Sequence, residues 1–323
     1  MDDACHSSEP PAGGFFSPFR LAILVDPKEA MPPSDEEALR HFIHAGRNLG
    51  MIVHRLTKAD LHVLTDYDGL FMRTTTETWN ITAEFAKLAE HRNIVCIDSA
   101  ESTVRCTDKI FQERLWRQHE IPRPLTLMVG ECNLAEVDRD IAYPIVLKVP
   151  NGSFSNGVCK VDDHAALIKV GQELIKKHPR ILAQEFVYTP YDWRIGVLNR
   201  QPIFACQYFM VPGHWQIYQY NHCVHGGDSR AFHVEDAPLE VVETAVKAAN
   251  LIGDGLYGVD MKMTDRGPMV IEVNDNPNID SGVEDMILGD ELYKIVMREF
   301  KRRMTEMAPY RQFGVAYHAA AVA

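Results

Sequence analysis

The chain has 323 residues, of which 46% are hydrophobic and 24% charged, and carries a formal net charge of −12. That length and apolar content suffice for two or three domains with cores of their own. The acidic balance excludes a surface dedicated to the phosphate backbone of nucleic acid, which needs concentrated Lys and Arg.

No apolar run approaches the ~20 residues of a membrane span. The opening MDDACHSSEPPAGG lacks the basic flank and apolar segment of a signal peptide. Seven cysteines without a CxxC pair read as reduced thiols, so a cytoplasmic location is expected.

Residues 1–18, rich in Pro, Gly, Ser and acid, are expected to form a disordered tail. From FRLAILVD the pattern alternates: a strand, a helix over DEEALRHFIHAGRNLG, the strand MIVHRLT, the strand YDGLFMRTT, a helix over TWNITAEFAKLAEHR and the strand NIVCIDS. This predicts a small parallel α/β domain over residues 19–105. A single helix is expected in SAESTVRCTDKIFQERLWRQHEIPRP. Beyond it strands come in pairs with helices interposed at DHAALIKVGQELIKKH and APLEVVETAVKAANLIG, which predicts an α+β region in two lobes, 106–187 and 188–308. Residues 309–323 read as a frayed tail.

The most informative segment is GVDMKMTDRGPMVIEVN. Read as a hairpin with the three-residue loop Asp265, Arg266 and Gly267, it sets Lys262 against Val270 and Asp260 against Glu272, with Asn274 on the same side. Val259, Met261, Met263, Met269, Ile271 and Val273 form the opposite, apolar face. Directly opposed carboxylates repel and call for a cation. A hard dication such as Mg²⁺ takes oxygen ligands from one or two carboxylates and completes its shell with substrate phosphates, which makes Asp260, Glu272 and Asn274 candidate metal ligands. Alternatively, Lys262 neutralises one of the acids on a solvated face.

Phosphate-binding features occur elsewhere. Lys148 interrupts the apolar strand YPIVLKVP, and Gly152, Ser153, Ser155 and Gly157 follow in a loop whose backbone N–H groups can turn toward an anion. Read alone, this is a plain hairpin with a snorkelling lysine. It matches neither GxxxxGK[ST] nor GxGxxG. In TPYDWRIGVLN, Asp192 and Arg194 share a face, where Arg194 either braces a phosphoryl group or, the simpler reading, pairs with Asp192. His214, His222, Cys223 and His225 match no standard zinc spacing and suit a polar loop over a substrate.

The ordered set Lys109, Lys148, the glycine loop, QEFV, DWR, NHCVHGG, GVD and IEVN resembles the ATP-grasp superfamily, and within it the RimK-like carboxylate–amine ligases, from about Phe19 to Met304. The resemblance implies a two-lobed ATP-grasp fold after the α/β domain, with ATP clamped between the lobes and Mg²⁺ (Mn²⁺ as substitute) as the metal. It implies ATP contacts from Lys109, Lys148, Gly152 through Gly157, the adenine-facing Glu185, Phe186 and Val187, and Asp192. Substrate contacts fall to Arg194, Asn221, His225, Gly226, Gly227, Asn276 and Asn278, and metal ligation to Asp260, Glu272 and Asn274. Lys148 and Arg194 would meet the transferring phosphoryl group.

The implied reaction joins a small-molecule or peptide carboxylate to an amine through an acyl phosphate, with Asp192, His225 or water taking the amine proton. No nucleic acid or membrane partner is implied, and self-association is left open. Relatives commonly read EVN-x-x-P-G, whereas this chain reads EVNDNPN with Asp280, Glu284 and Asp285 close behind, acids that would suit an amine-bearing acceptor or a solvated helix start. An ATP-responsive regulatory module and a phosphotransferase are the rival readings.

Overall fold

The structure is a computed structural model that describes residues 17–152, 157–220 and 224–313. The expected tail through residue 16, Ser153, Ser155, Asn221, His222, Cys223 and residues 314–323 lie outside the described residues.

The chain begins as the alternation predicts: β1 (Arg20–Leu24), α1 (Glu36–Asn48), β2 (Ile52–Leu56), β3 (Gly69–Met72), α2 (Ile81–His91) and β4 (Val95–Ile97). These strands form one parallel sheet in the order β2-β1-β3-β4. Helix α1 starts where its sequence signals it, since the Asp35 carboxylate accepts the Ala38 N–H at 2.7 Å and two glutamates follow in the first turn.

The single helix expected next is two, α3 (Ala100–Thr107) and α4 (Lys109–Gln118). Asp108 leaves helical geometry and caps α4, accepting the Ile110 and Phe111 N–H groups at 2.9 and 3.0 Å. The break places Lys109 at a helix start, and its backbone N–H bonds Pro150 O at 3.0 Å.

The small lobe comprises β5 (Thr126–Val129), β6 (Ile145–Lys148), β7 (Val158–Val161), α5 (His164–Ile175) and β8 (Ile181–Glu185). Its sheet runs β5-β8-β6-β7 around a separate core that includes Leu134, Ile145, Leu147 and Leu167. The second lobe contributes β9 (Tyr191–Leu198), β10 (Gln201–Phe209), β11 (Tyr218–Tyr220), β12 (Val224–Gly226), β13 (Ser229–Phe232), α6 (Leu239–Ile252), β14 (Leu256–Thr264) and β15 (Gly267–Asp275). Its main sheet has the order β13-β10-β9-β14-β15, with α6 and Trp116 of α4 buried on one face.

The chain described ends in α7 (Asp290–Phe313), which does not stay with the second lobe. Leu292, Tyr293, Val296 and Phe300 pack with Leu21, Ile23 and Phe42 in one cluster that also takes in Phe204 and Tyr208 of β10. The lobe boundary expected at 308 and the frayed tail expected from 309 are therefore corrected: the helix continues to Phe313 and closes the core of the first domain.

The β14–β15 hairpin also differs in detail from its sequence reading. Its turn has two residues, with Thr264 opposite Gly267 at φ +93°, so Lys262 faces Met269 rather than Val270. A bulge then skips Ile271 and restores the opposition of Asp260 and Glu272. Consequently Val270, 1% exposed, takes the core position, while Ile271 lines the site.

Candidate active site

Two chambers meet where the three layers converge. One, of about 140 Å³, lies against the small lobe and is bounded by Lys148, residues 184–187, Asp192, Lys262 and Ile271, with Trp215 and Gln216 across its mouth. The other, of about 370 Å³, lies against the first domain, between Arg194, Asn274 and Asn278 on one side and residues 75–79 on the other. Lys109, Gly152, Ile217, Asp260 and Glu272 border both.

The shared wall carries dense, compensated charge. Asp260 is held bidentately by Arg194, Nε to Oδ1 at 2.7 Å and Nη2 to Oδ2 at 3.0 Å, and also accepts the Asn274 amide at 3.0 Å. Arg194 reaches it directly because it sits opposite Asp260 on the neighbouring strand, and its guanidinium also stacks 5.0 Å over the Tyr208 ring. Lys109 Nζ lies 3.2 Å from Glu272 and donates to Gly152 O at 2.6 Å.

Burial raises the Asp260 carboxyl against the pull of Arg194. Burial would also raise Glu272, but Lys109 and Lys148 outweigh it and hold that carboxyl below its usual range. Lys148 is 7% exposed, with no ion-pair partner among the described residues, and burial lowers its ammonium to about 8. The pairing expected between Asp192 and Arg194 is replaced: Arg194 takes Asp260, and Asp192 accepts Lys262 Nζ at 2.5 Å, with Thr189 completing the contact. Lys262 accordingly neutralises neither Asp260 nor Glu272, as the alternative reading of the hairpin had it.

The run DNPN is more than a turn. Asn276 adopts φ +44°, a left-handed conformation that asparagine accepts more readily than most residues. Its amide is occupied by the first domain, with Oδ1 accepting Arg73 at 2.7 Å and Nδ2 donating to Thr74 O at 2.8 Å. Arg73 is fully buried, and burial lowers it to about 10; it also donates to Ser34 Oγ and to the carbonyls of Pro33 and Pro277. Pro277 then packs on Gly258, where an added Cβ would lie 2.7 Å from the proline ring. The acids behind the turn are internal: Glu284 accepts the Tyr208 hydroxyl and the Asp280 N–H, and Asp285 accepts Tyr293 and the Gly282 N–H. Neither is the solvated helix-start acid considered from sequence.

The structure thus gathers Lys109, Lys148, Gly152, Glu185, Phe186, Val187 and Asp192 around the smaller chamber, and Arg194, Asn276 and Asn278 around the larger. Glu185 is already engaged, accepting the Leu125 N–H at 2.9 Å and Arg266 at 2.9 Å. Gly157, at φ +74°, sits against Val149 where a side chain would clash, while Gly227 donates its N–H to Ile217 O at 2.9 Å. Tyr218 and Gln219 pair with Gly226 and His225 through the backbone. Among the described residues no group of three or more His, Cys, Asp or Glu could enclose a metal.

Sequence reasoning read HWQIYQYNHCVHGGDSR as a loop over a substrate without singling out Trp215, Gln216 and Ile217, and it missed the segment 75–79. The latter had one available signal: it follows the carboxyl end of a parallel strand, where open α/β sheets bind ligands.

Comparison with known proteins accounts for this arrangement. A family profile described as RimK-like ATP-grasp domain matches residues 106–295. A probable alpha-L-glutamate ligase of Rhodopirellula baltica is 26% identical over 226 residues, 68% of this chain and 54% of that protein, so the chain spans about half of its length. The alpha-aminoadipate–LysW ligase LysX of Saccharolobus solfataricus is 26% identical over 261 residues, 76% of this chain and 90% of that protein. The D-alanine–D-alanine ligase from Bacillus anthracis, solved with ATP, superposes with a TM-score of 0.65 at 15% identity over 90% of this chain and 99% of that one. The RimK domain ATP-grasp protein from Sphaerobacter thermophilus gives 0.64 at 19% over 86% and 98%.

The fold is therefore that of the ATP-grasp proteins. Since the profile spans more than half of it, the chain belongs to the RimK-like ATP-grasp family.

Proposed function

We propose that this chain forms an amide bond between a small-molecule or peptide carboxylate and an amine, consuming ATP and releasing ADP and phosphate. The observation that carries the proposal is the wall of Asp260 and Glu272 common to two chambers, one for nucleotide and one for the reacting partners, with Asn274 beside them on the larger.

The donor chemistry fits Mg²⁺. Three oxygen-bearing side chains lie together, and although Asp260 Oδ2 already accepts two hydrogen bonds, Asp260 Oδ1 and the Glu272 carboxylate keep lone-pair capacity beside their present bonds. Held by Asp260, Glu272 and Asn274, the ion would neutralise negative charge on the nucleotide phosphates during transfer.

The chain's own residues account for the rest. Lys148 offers an uncommitted ammonium to the nucleotide phosphates, and Lys109 a second one at the α4 start. The carboxylate donor lies toward Arg194; one of its oxygens attacks the γ-phosphorus, ADP leaves, and an acyl phosphate results. The amine then attacks the acyl carbon, phosphate departs, and the nitrogen's proton passes to the departing phosphate or to water as the amide forms. Asp192 borders the nucleotide chamber only, paired with Lys262, so its part is there rather than in taking the amine proton. Ile217 borders both chambers and would limit water access to the acyl phosphate there, with Trp215 beside the nucleotide.

The test is to incubate the protein with ATP, Mg²⁺, a pool of carboxylates and hydroxylamine. A ligase yields hydroxamates and, without hydroxylamine, ADP release that depends on an amine. ADP release with phosphorylated product and no amide indicates a phosphotransferase, and no ADP release indicates a binding module.

A further inference from the structure

The larger chamber is asymmetric in charge. Of its six charged lining residues, Lys109 and Arg194 are paired with Glu272 and Asp260 of the shared wall. Glu77 and Asp275 face no cation among the described residues: Glu77 accepts only the Asn80 amide, at 3.3 Å, and Asp275 only the hydroxyls of Thr76 and Thr103, at 2.8 and 2.9 Å. Beside Glu77, Trp79 also lines the chamber with 92% of its surface exposed, which is unusual for the largest apolar side chain.

Segment 75–79 is nonetheless a fixed wall. Thr75 N–H bonds Glu29 at 2.9 Å, Thr76 is tied to Asp275, and Glu77 N–H bonds Thr82 Oγ1 at 3.3 Å. It also lies outside the region matched by the family profile, which begins at residue 106. A rigid rim that combines a carboxylate without a counter-cation and an open indole face is suited to a cation: the carboxylate supplies charge, and the ring supplies the quadrupole.

Resting on the ligase reading, we infer that Glu77 and Trp79 select an amine acceptor that carries a second positive charge, as a diamine or basic amino acid does. The reacting amine points to the shared wall as a neutral nucleophile, while the second, protonated group stays at the rim.

Direct binding tests this without turnover, and so separately from the ligase reading, which stands or falls on ADP release. The protein, saturated with Mg²⁺ and a non-hydrolysable ATP analogue, is titrated calorimetrically with cadaverine and with n-pentylamine. Neither contains a carboxylate, so they differ only in the second cation. Cadaverine is expected to bind at least about tenfold tighter, a difference of about 1.4 kcal/mol. Glu77→Gln and Trp79→Leu, both at exposed positions, should each cut that ratio about threefold or more while leaving affinity for the nucleotide analogue unchanged. Equal binding of the two amines, binding of neither, or a preference that survives both substitutions overturns the inference.

Discussion

The smaller chamber is lined wholly from within the region matched by the family profile, largely by strands of two sheets and the short segment at Trp215. The larger chamber borrows its far wall from the first domain, through a loop held by threonine hydroxyls and a buried arginine rather than by strand pairing. The smaller chamber keeps a buried lysine without an ion-pair partner among the described residues; the larger keeps Glu77 and Asp275, which face no cation among those residues. The difference separates two jobs: phosphoryl transfer needs fixed positive charge on rigid elements, whereas selection of a partner can reside on an appended loop.

Substitutions that act on each side would break or sharpen that division. The largest effect is expected at the shared wall, where Glu272→Gln should lower kcat for acceptor-dependent ADP release by about 10²-fold or more; near wild-type turnover at saturating Mg²⁺ would refute the ligand assignment. Lys148→Ala should raise the ATP KM by about tenfold or more, since a charge-assisted contact to phosphate is lost, with acceptor KM unaffected.

The same lysine sets a pH dependence. In the free protein it is protonated below about 8 and neutral above, so ATP affinity should be level below that pH and fall as pH rises through it. Lys148→Arg, charged throughout, should abolish the inflection.

Smaller effects probe the junction with the first domain. Gly258→Ala pushes a methyl into Pro277 and should cost about 1–3 kcal/mol of stability by denaturant titration, with a several-fold loss of kcat. At the nucleotide rim, Arg266→Ala removes an exposed pair with Glu185 and should cost under about 1 kcal/mol with little change in ATP KM. A tenfold rise in KM there would show that Glu185 depends on this arginine for its position.

Much of this was legible in sequence because it is local. Strand and helix alternation in the first domain follows from periodicity, and the opposition of Asp260 and Glu272 from one hairpin. That opposition emerged despite a misjudged turn, because the bulge at Ile271 offsets the one-residue difference, and a bulge leaves no compositional mark. The partner of Arg194 was not legible, since it depends on β9 lying beside β14 rather than on its neighbours in sequence. The wall at 75–79 belongs to the same class, being defined only when two domains meet. The break at Asp108 was missed because helical spacing continues through it, although aspartate is a good cap.

The packing of α7 on the first strands has a further consequence for how the chain is made. Leu21, Ile23 and Phe42 emerge from the ribosome well before their partners Leu292, Tyr293 and Phe300, from which both lobes separate them in the chain. The opening sheet therefore waits with part of its apolar surface unsealed until α7 has been made, and that helix then closes over it like a clasp.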